Sequence, residues 1–284
     1  MTGRLDEILA HKRAEIERLA GGRLAALKSQ ARDAPPPRDF GAALAPARTL
    51  VCADGSADYA ALEAPKAETK VRLIAELKRA SPSRGLLAPH LDLGQVARIY
   101  AENGAAALSV LTDEEFFLGR LETVGRVRFE LGLPLPVLRK DFILAPEQVY
   151  QTRAAGADAM LLIAAALPAD GALADLHTLA LELGLTPLVE VHSAPEMERV
   201  LRLPGLKLVG INNRDLGTFT VNLDTTAELR PLVPAGVRVI SESGIFTAEH
   251  MARLAALKVD AALVGEALVT APDIGAKVRE LAGH

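Results

Sequence analysis

Length, composition and charge describe a chain with a large apolar core and no general attraction to polyanions. The chain has 284 residues, of which 50% are hydrophobic and 4% aromatic, and its formal net charge is -4. These values exclude a disordered chain and argue against nucleic acid or an anionic membrane as a partner, so an anionic substrate would need a local basic cluster.

Cysteine usage and hydropathy predict a soluble, cytoplasmic protein. Cys52 is the only cysteine, so no intramolecular disulfide can form and a reducing compartment is expected. The charged start between Arg4 and Arg18 lacks the apolar core of a signal peptide. The longest apolar stretch, residues 159–167, is too short to span a bilayer.

The first 70 residues predict a helix and then a less regular segment. Pro35-Pro36-Pro37 is a clear break in the pattern. Residues 45–70 mix small, acidic and proline residues, and we predict a loop there with a short helix near residues 59–62. The helical spacing is carried by Leu5, Ile8, Leu9, Ile16 and Leu19, and Gly21-Gly22 ends the run.

A regular alternation of short apolar runs and longer amphipathic segments begins at Val71. Several of the amphipathic segments end in glycine, as helices often do. Alternating strands and helices predict parallel strands, and nearly continuous apolar strands predict a sheet that is covered on both faces. The predicted strands are residues 71–77, 106–111, 135–138, 159–163, 187–191, 208–211, 237–240 and 261–264.

Eight strand–helix units favour an α/β fold of the (β/α)8 TIM-barrel class. Eight units over about 210 residues fit such a barrel, which takes about 250 residues in all. The alternative is a doubly wound open sheet, which usually carries a glycine-rich nucleotide turn after its first strand, and no G-x-G-x-x-G occurs here. We therefore predict a single domain in which residues 1–70 form an N-terminal helical extension packed on a barrel of residues 71–284.

Polar residues follow five of the predicted strands, where the active site of a (β/α)8 barrel lies. A charged group at the end of a buried strand destabilises the fold unless something pairs with it, so several such groups predict one shared polar pocket. Side chains two residues apart in a strand share a face. The residues expected to converge on the barrel mouth are Glu76, Lys78, Lys140, Glu190 and Asn212.

Lysines beside carboxylates in a dry pocket are suited to acid–base catalysis, because a protonated lysine can donate a proton and a buried glutamate can accept one. The structural alternative is a set of ion pairs inside the barrel. Ser241-Glu242-Ser243-Gly244 and Gly265-Glu266 follow the last two strands, where many barrels bind phosphate through backbone N–H groups. The alternative to a phosphate site is that the glycines of these two segments are ordinary loop residues.

Other chemistries have little support in the sequence. The six histidines are scattered without metal-ligand spacing, and no nucleophile elbow or Walker loop occurs. Phe116-Phe117 and Phe142 follow predicted strand ends, where they could either form the wall of an aromatic substrate site or belong to the core.

At these segments the chain resembles the indole-3-glycerol phosphate synthase family of tryptophan biosynthesis. The resemblance covers nearly the whole chain, and its motifs occur in the family's order. They are ILAHKR at 8–13, IAELKRASPS at 74–83, LSVLTD at 108–113, LRKDF at 138–142, LVEVH at 188–192, GINNRDL at 210–216, SESGI at 241–245 and LVGE at 263–266.

The resemblance implies a carboxy-lyase without a metal or organic cofactor. It would close the ring of 1-(2-carboxyphenylamino)-1-deoxyribulose 5-phosphate and release indole-3-glycerol phosphate, carbon dioxide and water. By motif position Lys140 would be the general acid, Glu190 a base and Lys78 a second proton donor, although which lysine serves which step stays open. The other implied catalytic residues are Glu76, Asn212, Glu242 and Ser243, and the implied substrate-binding residues are Ser81, Phe117, Phe142, Arg214, Gly244, Gly265 and Glu266.

Two alternatives remain beside this enzyme. One is another phosphate-binding barrel, such as an isomerase, which would carry an acid–base pair rather than two lysines. The other is a non-catalytic barrel that binds a phosphorylated ligand. The expected partner is a small phosphorylated molecule, with no nucleic acid and no membrane, and we expect a monomer, with a homodimer as the alternative.

Overall fold

The computed structural model describes residues 4–20, 23–45, 70–81, 85–215, 217–218 and 220–284. The short helix predicted near residues 59–62 lies outside these residues. Eight parallel strands form a closed barrel in which each strand pairs with the next and the last pairs with the first. The strands are β1 (Arg72–Leu77), β2 (Ala107–Leu111), β3 (Val137–Lys140), β4 (Ala159–Ile163), β5 (Thr186–Val191), β6 (Leu208–Asn212), β7 (Arg238–Glu242) and β8 (Ala261–Val264).

Helices fill the connections between the strands, so the predicted (β/α)8 barrel is confirmed. No helix within the described ranges combines the length and apolar character needed to cross a membrane. The α-helices are α1 (Arg4–Ala20), α2 (Leu24–Asp33), α3 (Phe40–Ala43), α4 (Leu93–Glu102), α5 (Glu114–Phe117), α6 (Glu122–Gly125), α7 (Pro146–Ala154), α8 (Asp170–Glu182), α9 (Ala194–Val200), α10 (Asp224–Leu229), α11 (Ala248–Ala256), α12 (Glu266–Val269) and α13 (Ile274–Ala282). A π-helical turn (Arg126–Glu130), two 3-10 turns (Ala164–Ala166 and Arg230–Leu232) and a small hairpin (Ala80–Ser81 with Gly85–Leu86) complete the described elements.

One strand is displaced from its predicted place. The apolar run at residues 135–138 predicted β3, but the strand runs from Val137 to Lys140. Pro136 has no N–H to donate, and its carbonyl only accepts a bond from the Leu108 amide, so the regular ladder begins after it. Lys140 is therefore the last residue of the strand and is held by the barrel itself.

Two apolar clusters follow from the alternation of side chains along the strands. One lies between the barrel and its outer helices, and on β1 it takes Leu73, Ala75 and Leu77. The other fills the barrel and takes Ile74 from the same strand. Glu76 is two residues beyond Ile74, so the pleat directs its carboxylate into the barrel above this second cluster.

The N-terminal extension contacts both ends of the barrel. Near the start of the strands, the Arg38 amide donates to Asp158 Oδ1 at 2.6 Å, and the fully buried side chains of Phe40 and Leu44 join the interior cluster. At the other end, Lys12 of α1 is almost completely buried beside residues that follow β2 and β3. The extension thus contacts the base of the barrel and the rim formed by the carboxyl ends of the strands.

Candidate active site

A pocket lies at the carboxyl ends of the strands. The space within it amounts to about 1140 Å³, open solvent at its mouth included. All fourteen residues that the sequence placed in the site line this pocket. They are Glu76, Lys78, Ser81, Phe117, Lys140, Phe142, Glu190, Asn212, Arg214, Glu242, Ser243, Gly244, Gly265 and Glu266.

Lys140 lies at the centre of the charged groups. Its Nζ donates to Glu242 Oε2 at 2.7 Å and to Glu190 Oε2 at 3.3 Å. Burial by itself would lower the pKa of this ammonium, but Glu242 and two further carboxylates outweigh that effect and raise the pKa above its ordinary value. The lysine is therefore held protonated in a site from which most water is excluded.

The two carboxylates beside Lys140 differ in acidity. Burial raises the pKa of both, but Lys140 and His192 reverse the effect at Glu190, whose pKa lies below its ordinary value. At Glu242, burial together with the nearby Glu190 outweighs Lys140 and raises the pKa to about 7. The cluster thus contains one carboxylate that stays ionised and one carboxyl that can hold a proton near neutral pH.

Glycines leave room for the carboxylates. A methyl group at Gly210 of β6 would overlap Glu242 Oε1, and one at Gly265 would overlap Glu76 Oε2. The Glu76 carboxylate also pairs with Lys78 Nζ at 2.8 Å. The sequence suggested that Gly265 allows a phosphate to approach the backbone; the structure adds that it makes space for the ion pair of β1.

Asparagines fix the loop that follows β6. Asn212 Oδ1 accepts the Arg214 amide at 3.0 Å, which folds the loop back onto the strand end. The side-chain Nδ2 of Asn213 donates at 3.0 Å to Ser241 Oγ and to the carbonyl oxygens of Glu242 and Ser243. Asn213 therefore ties the ends of β6 and β7 together from outside the pocket, a role that the sequence pattern did not reveal.

The segment after β7 is a tight turn at the pocket wall. Ser243 and Gly244 have φ values of 69° and 78°, respectively. Such values are unfavourable for a serine, so the surrounding contacts of Asn213 hold Ser243 in a conformation that it would otherwise avoid. Both residues line the pocket.

An aromatic wall lies on the opposite side. The rings of Phe117 and Phe142 are 6.4 Å apart, centroid to centroid, and both line the pocket. Phe116 does not belong to this wall, because its ring packs edge-on against His11 of α1. Of the two adjacent phenylalanines, one thus faces the pocket and the other anchors the N-terminal helix.

Several site residues were missed by sequence reasoning. Leu5 and Ile8 of α1 line the pocket, and so do Asp113 and Asp141, which both pair with Lys12 Nζ at 2.9 Å. The sequence offered two signals, namely the apolar stripe of the helix and the two acidic residues within the motifs. Neither signal predicts that the helix reaches the rim of the barrel. Among the described residues, no three His, Cys, Asp or Glu side chains are grouped so that they could hold a metal ion.

Comparisons with known proteins agree with this geometry. The family model "Indole-3-glycerol phosphate synthase" matches residues 56–281. The indole-3-glycerol phosphate synthase of Roseiflexus castenholzii is 49% identical over 290 aligned residues, which cover 99% of this chain and 98% of the relative. That of Desulforamulus reducens is 48% identical over 279 residues, covering 98% and 96%.

Solved structures share the fold at much lower identity. The 3-hexulose-6-phosphate synthase of Salmonella typhimurium superposes with a TM-score of 0.57 at 14% identity, covering 75% of this chain and 97% of that chain. Thiamine phosphate pyrophosphorylase from Pyrococcus furiosus gives a TM-score of 0.56 at 18% identity, covering 76% and 96%. At these identities the likeness concerns the barrel fold alone.

Proposed function

The chain belongs to the indole-3-glycerol phosphate synthase family, and from this premise we infer which of its residues carry the reaction. The chain is a carboxy-lyase of tryptophan biosynthesis that acts on a small phosphorylated substrate. It converts 1-(2-carboxyphenylamino)-1-deoxyribulose 5-phosphate into indole-3-glycerol phosphate, carbon dioxide and water. The isomerase and the non-catalytic barrel are therefore set aside.

Lys140 is the general acid of the ring closure. The observation that carries this role is its Nζ, held between Glu242 and Glu190 at 2.7 and 3.3 Å inside the pocket. An ammonium there can donate a proton to the substrate carbonyl oxygen as the aromatic carbon attacks the carbonyl carbon. Loss of carbon dioxide then leaves its bonding electron pair in the ring and restores aromaticity.

The dehydration that follows needs a base and an acid. Glu190 takes the proton whose removal forms the new double bond, and Lys78 donates the proton with which the hydroxyl leaves as water. Support for this pair comes from the charge of Glu190, whose pKa is lowered chiefly by Lys140 against the effect of burial. Glu76 orients Lys78 through their 2.8 Å ion pair, and Glu242 and Asn212 orient the groups on the other side.

The substrate's remaining groups meet separate parts of the pocket. The anthranilate ring lies against Phe117 and Phe142, and its carboxylate is near Lys78 and Arg214. The phosphate contacts the backbone on the opposite side of the pocket. The lining residues assigned to the phosphate are Ser81, Ser243, Gly244, Gly265 and Glu266. The positive φ values at Ser243 and Gly244 support the phosphate assignment, because turns of this kind point backbone N–H groups towards an anion.

Replacing Lys140 by alanine tests the assignment. We expect kcat to fall by about 10²-fold or more, because the general acid is lost, while product binding survives in part. Turnover is followed by the appearance of indole fluorescence, and binding by equilibrium titration with indole-3-glycerol phosphate.

The matched control is Lys207→Ala. Lys207 is an exposed lysine just before β6, at the end of the barrel opposite the pocket. We expect its variant to keep normal kcat and KM. A Lys140→Ala enzyme that turns over at a rate near that of the wild type would reject Lys140 as the general acid without affecting the family assignment.

We also propose a domain organisation, an oligomeric state and a cellular location. Residues 1–70 and 71–284 form one domain, because the extension contributes to both the base and the rim of the barrel. We propose that the protein acts in the cytoplasm as a monomer.

A further inference from the structure

A histidine lies directly behind the proposed base. His192 follows β5 immediately, its side chain is only 9% exposed, and it is absent from the pocket lining. Its Nε2 is 3.2 Å from Glu190 Oε1, and its Nδ1 is 3.3 Å from Glu196 Oε2. The ring therefore lies between two carboxylates, one in the active site and one outside it.

Glu196 is itself firmly held. It lies in the first turn of α9, whose N-cap is Ser193, and its Oε2 also accepts the His192 amide at 2.8 Å. The same carboxylate oxygen thus contacts both the backbone and the ring of His192. This double contact fixes the ring plane from the side facing away from the pocket.

The two oxygens of Glu190 have different partners. Oε2 faces Lys140 at 3.3 Å, and Oε1 faces His192 at 3.2 Å. Lys140 lies closer to Glu242, at 2.7 Å, so it restrains Glu190 only partly. Glu190 also has a hydrogen bond with the Asn212 side chain, and His192 adds a second charged contact that restrains the orientation of the carboxylate.

We propose that His192, held by Glu196, is a positioning residue that fixes the orientation of the Glu190 carboxylate and keeps it ionised for the dehydration step. The proposal rests on the role assigned to Glu190 above. His192 does not touch the substrate, since it lies outside the pocket lining, and it acts through Glu190 alone.

The charge of the ring follows from its surroundings. A carboxylate oxygen faces each ring nitrogen, so both nitrogens carry a proton in the favourable arrangement. Burial would lower the pKa of His192, but Glu190 and Glu196 outweigh this and raise it to about 10. Asp215, in the loop after β6, is a third acidic group close enough to interact with the imidazolium.

Two cations lie beyond the carboxylates that face His192. Lys140 adjoins Glu190, and Arg199 lies near Glu196. The chain of charges from Lys140 to Arg199 therefore alternates in sign, with the imidazolium at its centre. Removing the central cation would leave the buried Glu190 facing the half-buried Glu196 carboxylate, and the pKa of Glu190 would rise.

The test compares His192→Gln with His192→Leu in pH profiles of kcat and KM. Glutamine can still donate a hydrogen bond to Glu190 but carries no charge, so the acid limb of kcat should move to higher pH by about one unit or more. Leucine removes both effects, and we expect kcat to fall by roughly tenfold or more with KM nearly unchanged. Glu196→Gln should move the acid limb in the same direction by a smaller amount.

The matched control is His177→Gln in α8, a fully buried histidine outside the pocket lining. This variant should lower the melting temperature and leave the pH profile in place. Profiles and kcat values of both His192 variants within twofold of wild type would overturn the proposal. If His192→Leu fails to fold, the charge-free glutamine variant decides by itself.

Glu190→Gln separates this proposal from the one on which it rests. If Glu190→Gln turns over normally, Glu190 is not the base. If Glu190→Gln is inactive while the His192 variants behave as wild type, only the positioning role of His192 is wrong.

Discussion

Gly210 occupies the position on β6 next to the Glu242 carboxylate. A methyl group there would overlap Glu242 Oε1, whose other oxygen accepts the bond from Lys140 at 2.7 Å. Because the overlapping atoms belong to a buried carboxylate within a closed barrel, relief of the overlap requires the carboxylate to move. The glycine therefore sets the position of the β7 carboxyl group that binds Lys140 of β3.

Gly210→Ala tests this single contact. We expect kcat to fall by roughly tenfold or more, since the carboxylate that orients the general acid is displaced, while the barrel still folds. Steady-state kinetics together with thermal unfolding would show it.

Gly171→Ala is the control for adding a methyl group. Apart from its own helix backbone and chain neighbours, no atom of the residues that the structure describes lies within 4 Å of the added carbon, and Gly171 of α8 is absent from the pocket lining. Activity should stay unchanged and stability should rise slightly, because alanine favours the helix. Equal kinetics of the Gly210 and Gly171 variants would contradict the role given to Gly210.

The N-terminal helix α1 contributes charge as well as surface to the catalytic rim. Lys12 is 1% exposed and pairs with Asp113, Asp141 and Glu15 at 2.9, 2.9 and 2.8 Å. Burial lowers the pKa of Lys12, yet the acidic groups outweigh it, so the ammonium stays charged. The Asp141 carboxylate also accepts the Phe142 amide, which links α1 to the segment directly after Lys140.

Lys12→Met should lower the free energy of unfolding by about 3 kcal/mol, because two buried carboxylates lose a shared cation. Urea denaturation measures the change. Arg13→Met, an exposed neighbour in the same helix, should change it by about 0.5 kcal/mol or less. A Lys12 variant as stable as the Arg13 variant would show that the ion pairs do not fasten the helix.

The strands of the barrel were predictable and the contacts of the extension were not. Parallel strands buried on both faces are continuous apolar runs, so all eight appeared in the sequence. The whole of β3 shifted by two residues, because Pro136 lacks a donor, and β7 extends two residues beyond its predicted end to Glu242. Periodicity predicted α1, but it carries no information on what a helix touches. Lys12 is one of several charged residues in its stretch, and nothing local distinguishes it.

The site residues likewise divide into those that the sequence could predict and those that it could not. Residues directly at strand ends, such as Lys140 and Glu190, were predictable because the fold class fixes where they meet. His192 was not, since its partner Glu196 lies on α9 and the direction of its ring depends on that helix. The differing acidities of Glu190 and Glu242 likewise arise only when the groups are packed together.

For the whole molecule, acid should weaken the fold through the buried network that joins the extension to the barrel. Burial raises the pKa of Asp141, but Arg139 and Lys12 outweigh it and lower the pKa from 3.8 to about 2. Because the pKa is lower in the folded state, ionised Asp141 stabilises the fold above pH 3.8. This contribution, about 2 kcal/mol, is lost as the pH falls through about 2.

Asp141→Asn provides the comparison. The variant should be less stable than wild type at neutral pH, and the difference should shrink between pH 4 and pH 2 in urea denaturation. A difference that stays constant over this range would mean that Asp141 does not titrate as its ion pairs require.

The extension's contacts with both barrel ends have a consequence for synthesis on the ribosome. Arg38 lies 120 residues ahead of Asp158, and Lys12 is translated long before either aspartate to which it binds. The nascent chain therefore carries a helix in which Lys12 has Glu15 but neither aspartate as a partner, and two apolar side chains, Phe40 and Leu44, until β4 has emerged. A chaperone that shields the first 45 residues during that interval would protect apolar side chains whose partners are still to be synthesised.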